Sequence, residues 1–119
     1  MVTVSASTFQ ELFNAANFQE EHAEQIMDLA IDLINLYSNA DLPNMTGTAG
    51  SKSVSLESKE KGAVFLVARA IYYGFYTKPQ STAISGQSLS PADVMGNQAV
   101  IDSVKEAARQ LAELDVSYG

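Results

Sequence analysis

Residues 19–37 read QEEHAEQIMDLAIDLINLY, and the spacing of their apolar positions decides the fold class. Ile26, Leu29, Ala30, Leu33 and Tyr37 recur at three- and four-residue steps, the repeat that places side chains on one face of an α-helix. Met27, Ile31 and Ile34 add a flanking apolar strip, while Glu20, Glu21, Glu24, Asp28, Asp32 and Asn35 populate the other side. With Leu36 also apolar, such a helix can bury two faces, one in its own core and one against something else. Glu20 and Glu21 fall in the first turn, where the positive end of the helix dipole favours them.

Working outward, Ser7 followed by Gln10 has the spacing of a capping box and predicts a short helix to about Ala16, with Phe9, Leu12 and Phe13 on its apolar face. On the other side, Ser38 to Ser53 is polar and punctuated by Pro43, Gly47 and Gly50, the composition of a long loop. A third helix is expected from an N-cap at Ser55 to Tyr76. Val64, Val67, Ala68, Ile71 and Phe75 form its stripe, and Phe65, Leu66, Ala70, Tyr72, Tyr73 and Tyr76 widen it nearly all the way round. A helix this apolar belongs at the centre of the molecule or between subunits, and Gly74 marks its end or a close helix crossing. A second long polar loop covers Thr77 to Leu89. Ser90-Pro91-Ala92-Asp93 then reopens helix with an N-cap, a proline at the first position and an acid at the third. Gly96-Asn97 separates that turn from a last helix, about Gln98 to Leu114, striped by Val100, Ile101, Val104, Ala108 and Leu111. No alternating strand pattern of useful length is present, although Lys52 to Leu56 can extend locally. The expectation is a single all-α domain over residues 1–119, a small helical bundle of four to five helices with two long polar loops.

Composition narrows the chemistry. With 119 residues and 46% hydrophobic residues the chain supports one core. It has no Cys and one His, which removes disulfides, thiol nucleophiles, Cys-based zinc sites and iron-sulfur ligation. The net charge of -7 is unevenly placed. Residues 1–51 carry Glu11, Glu20, Glu21, Glu24, Asp28, Asp32 and Asp41 and no Lys or Arg, while the rest of the chain balances. An acidic half repels phosphate, so a nucleic-acid reader that binds by releasing counterions is disfavoured. The ordinary role of such a face is solubility; the sharper one is a surface to which a polyanion cannot stick. The N-terminus lacks the basic and apolar regions of a signal peptide, which predicts a cytosolic start. The most apolar run, Ala63 to Tyr76, contains Arg69 and is shorter than the ~20 residues a bilayer requires, so no membrane partner is expected.

Catalytic constellations are missing their parts. Gly47 to Ser53 looks like a phosphate loop, but a P-loop needs four residues between its glycines and Lys directly after the second. His22 sits at the edge of the apolar stripe of its helix and reads as structural. Glu20, Glu24 and Asp28 share a helix face in the spacing of a di-metal carboxylate bundle, but the Glu-x-x-His motifs such bundles add elsewhere do not occur. No nucleophile elbow and no Ser, His, Asp set can be built around one His. Tyr72, Tyr73, Phe75 and Tyr76 could stack bases but have few basic neighbours, which favours packing. The expectation is a non-enzyme with no cofactor and no metal.

The order of elements resembles the small head-tail connector, or adaptor, proteins of tailed bacteriophages and related viruses. The likeness covers residues 8–114. It rests on a short first helix, a long helix ending in AIDLINLY (30–37), the apolar helix KGAVFLVARAIYYGFY (61–76), a long loop and a C-terminal helix. The resemblance implies a structural virion protein at the neck, assembled in the host cytoplasm as a homo-oligomer. This would be a dodecameric ring under the portal protein that bridges the capsid vertex to a tail-completion or stopper protein. DNA would pass through without specific binding, and Glu20, Glu21, Glu24 and Asp28 are the expected channel-facing residues. Adaptors of this type dock through C-terminal segments, which points to Leu114, Val116 and Tyr118 for portal or neighbour contacts. The tail after the last helix is short, so the 39–54 or 77–90 loop is a second place for that contact. The alternative reading is a small acidic helical regulator, or nucleic-acid mimic, that covers a basic surface on a partner.

Overall fold

The computed structural model describes residues 1–76 and 90–116. Among the described residues the chain forms two short strands and five helices: β1 (Val2–Ser5), α1 (Ala6–Leu12), α2 (Glu20–Tyr37), β2 (Ser53–Leu56), α3 (Ser58–Phe75), α4 (Pro91–Val94) and α5 (Gln98–Val116). The fold is therefore mainly helical, and the all-α expectation is corrected by a two-stranded antiparallel sheet. Val2 pairs with Leu56 and Ser5 with Ser53, so residues adjacent to the N-terminus are tied to the entry of α3. Each strand is four residues long, too short for alternation to stand out, yet Val4, Val54 and Leu56 all point into the core.

Two helix starts move from their expected places. Helix α1 opens at Ser5 rather than Ser7, because the Thr8 hydroxyl accepts from the Ser5 amide at 3.1 Å and closes the first turn earlier. It ends at Leu12 rather than near Ala16, where Asn14 takes the left-handed conformation at φ 52°. Ser55, expected to cap α3, lies in β2; the cap is Glu57, whose amide donates to the Glu60 carboxylate at 3.0 Å. The Ser90 cap with Pro91 at the first position of α4 is as expected, and α2 begins on Gln19.

Helices α2, α3 and α5 pack on one another around a core of Ile26, Met27, Ile31, Val64, Val67, Ile71, Val100 and Val104. His22 near the start of α2 lies 6.1 Å from Tyr76 at the end of α3, so these two helices run in opposite directions. A Cβ on Gly74 would lie 3.0 Å from the Asn97 side chain, so α3 ends where α5 begins. Helix α5 thus runs back alongside α3, and its far half reaches the C-terminal end of α2. The buried stripe of α5 is Val100, Ser103, Val104 and Ala107, rotated from the expected one; Ile101 and Ala108 are only half-buried. The flanking strip of α2, Met27, Ile31 and Ile34, is buried within the chain, whereas the α3 face of Leu66, Arg69, Ala70 and Tyr73 stays partly open and lines a groove with Asn97, Ala99 and Ser103.

At the start of α2 the rings of Phe9, Phe13, Phe18, Tyr72, Tyr73 and Tyr76 form one cluster with centroids 4.6 to 6.5 Å apart, mostly edge to face. Each such pair contributes about 0.5–1.5 kcal/mol beyond the area it buries. The tyrosines at the end of α3 are packing groups, and burial pushes the Tyr76 hydroxyl above the usual phenol range. His22 is part of this cluster, its ring 5.9 Å from Phe18.

Candidate functional site

The polar side of α2 divides into acids that serve the fold and acids that face water. Glu24 is 3% exposed. Its two carboxylate oxygens accept from the backbone amides of Gly50 and Lys52, each at 2.9 Å. One turn on, Asp28 accepts from the Met45 amide at 2.8 Å, and Asp32 accepts from the Asn44 side chain at 3.0 Å. One more turn on, Asn35 mimics a backbone unit: its Oδ1 accepts from the Leu42 amide at 2.8 Å and its Nδ2 donates to the Leu42 carbonyl at 2.9 Å. The segment after α2 therefore doubles back along the helix as a strap. Leu42 and Met45 bury their side chains beneath it.

The expected phosphate-like loop has a definite role in this strap. Gly47 and Gly50 have φ of 121° and 91°, values that side chains rarely permit, and they turn the chain so that Thr46 and Ser53 exchange two backbone hydrogen bonds at 2.9 Å. The turn points two amides at one anion, and that anion is the Glu24 carboxylate of the same chain. The 39–54 segment is thus held along its own helix.

Two of the four expected channel-facing residues, Glu24 and Asp28, take part in these contacts. Glu24 is buried, and Asp28 is half-buried with its Oδ1 accepting from the Met45 amide. Glu20 and Glu21 are exposed, at the same end of the molecule as α1; the Gln10 side chain reaches Glu20 at 3.5 Å. Glu11 on α1 is exposed as well. Leu114 and Val116 lie in the last turn of α5, and Tyr118 and the 77–89 loop lie outside the described residues.

The opposite end carries a feature that periodicity did not single out. Leu36 and Tyr37, 63% and 54% exposed, flank an open groove of about 890 Å³ between the end of α2 and the far half of α5. Its walls are Ser38 to Ala40 on one side and Lys105, Ala108, Arg109, Leu111 and Ala112 on the other. Among the described residues the lining includes two cations and no acid. Arg109 is ion-paired with Glu106, whose carboxyl is held below the usual range by hydrogen bonds from Arg109 and Gln110. The signal was present in the sequence: Leu36 and Tyr37 continue the apolar run past the point where the helix has a core to face.

Among the described residues no group of three acids or histidines is placed to hold a metal ion, and no helix is long and apolar enough to cross a membrane. Comparison with protein-family models, with curated proteins and with solved structures finds no match to this chain.

Proposed function

We propose that this protein is a structural head-tail connector, a ring-forming subunit that bridges a portal to the tail and lets DNA pass an acidic wall. The observation that carries the reading is the polarity of the molecule. One end exposes Glu11, Glu20 and Glu21, and the other an apolar groove edged by Lys105 and Arg109. A subunit with unlike ends is suited to cyclic assembly, in which every copy presents the same acids inward. In a ring the bore-facing acids are Glu20 and Glu21, and the copy number multiplies their charge. The order of helices resembles that of the adaptor family, and the lack of a catalytic constellation in the sequence agrees with a structural role.

Electron microscopy of the chain mixed with purified portal rings tests this reading. The expected result is an added ring of density on the portal axis with Glu20 and Glu21 at its narrowest point. Basic or neutral residues at that point would remove the channel role, and no added density would remove the connector role. A monomer that binds a basic protein with steep salt dependence would favour the acidic-regulator reading instead.

A further inference from the structure

We propose that the groove between the end of α2 and the far half of α5 receives the Glu11–Leu12 end of α1 from a second copy of this chain. The inference rests on the reading of the protein as a ring subunit and names the joint between neighbours. Three observations support it. The groove is open and apolar at Leu36, Ala108, Leu111 and Ala112, and its described lining also includes Lys105 and the Glu106-paired Arg109. Leu12 is 54% exposed at the last position of α1, and the exposed Glu11 stands beside it, so one short helix end offers both an apolar knob and a negative charge. Residues 1–51 contain no Lys or Arg, so this end can meet a cationic groove without like-charge conflict.

The two features cannot meet within one molecule. Helix α1 packs on the start of α2, whereas the groove lies at its end; α2 has 18 residues, and its ends are about 27 Å apart. Knob and groove on opposite ends of a molecule 47 Å long define a head-to-tail contact, which closes into a ring when the rotation per copy allows it. Leu12 would fill the space between Leu36 and Leu111, and Glu11 would face Lys105.

The chain has no Cys, which makes the test direct. Leu12→Cys and Ala112→Cys are introduced together and the protein is oxidised. A disulfide needs Cα atoms within about 7 Å, so a bond between these positions joins two copies. The expected result is a ladder of many-copy species on a non-reducing gel, with each single variant staying monomeric, two single variants mixed giving the mixed dimer, and an unchanged helical circular dichroism signal. A double variant that stops at dimer overturns the head-to-tail contact, as does one that stays monomeric. In parallel, Glu11→Lys should weaken association about two- to fivefold at low salt, and adding Lys105→Glu should restore it. Restoration by Lys105→Glu is the part a merely structural role for Glu11 would not give. Assembly on portal rings without the ladder would overturn this joint and leave the connector reading standing. A ladder without portal binding would keep the joint and remove that reading.

Discussion

A carboxylate taken out of water must find donors for both oxygens, and Glu24 does so with two backbone amides of the strap. Removing it leaves the Gly50 and Lys52 amides without acceptors, so Glu24→Ala should lower unfolding stability by about 3 kcal/mol in a urea titration. Glu24→Gln should cost less but still measurably, because an amide has one acceptor oxygen and turns N–H towards N–H at the other position. Asp93 makes a different kind of contact: its carboxylate accepts from the Ser90 amide at 2.8 Å and is held below the usual range by that bond. A carboxyl lowered in the folded state contributes fully above its unfolded value and loses that contribution as pH falls through the folded one. Protection of the Ser90 amide from hydrogen exchange should therefore fall only in the acid range, and Asp93→Asn should abolish that dependence. At this scale the sequence was only partly legible. Glu24, Asp28 and Asp32, four residues apart, fall on one helix face, which periodicity assigns to solvent. What covers that face is a strap whose donors, three backbone amides and the Asn44 side chain, lie 12 to 28 residues away, and spacing along the helix has no information about it.

Elements were read better in their interiors than at their ends. The α2 stripe follows from the three- and four-residue repeat because the hydrophobic effect needs only the right face, while each terminus depends on one or two local hydrogen bonds. Thus Ser5 rather than Ser7 opens α1, through the Thr8 hydroxyl, and the sheet forms because Val4, Val54 and Leu56 have a core to enter. The junction of α3 with α5 tests how tightly such ends are coupled. Asn97 Oδ1 accepts from the Ala99 amide at 2.9 Å and caps α5, and its amide nitrogen would lie 3.0 Å from a Cβ on Gly74. Gly74→Ala gains about 1 kcal/mol of helix propensity but displaces the cap, so thermal melts should show little gain or a loss. With Asn97→Ala already in place, the same Gly74→Ala change should stabilise. Equal effects in both backgrounds would show that the two ends are independent.

The whole molecule is a three-helix core with unlike ends. The expected need for neighbours rested on helices with more than one apolar face, and the chain covers part of those faces itself: the strap covers part of α2, and α2 and α5 flank α3. What stays open among the described residues includes Leu36, Tyr37 and the groove at one end, Leu12 with Glu11 at the other, and Tyr73 on the outer face of α3. Charge asymmetry along the chain was legible because it needs no fold, only a count. The groove was not, because it arises where α5 stops covering α2. Contact through apolar surface should resist salt, whereas binding through exposed acids alone should fade as the Debye length shrinks. The most direct measurement is therefore the light-scattering mass of the protein with purified portal rings at low and high salt. The account predicts a mass gain of many copies per portal ring that survives high salt. A monomer mass with no gain on the portal at either salt would contradict it.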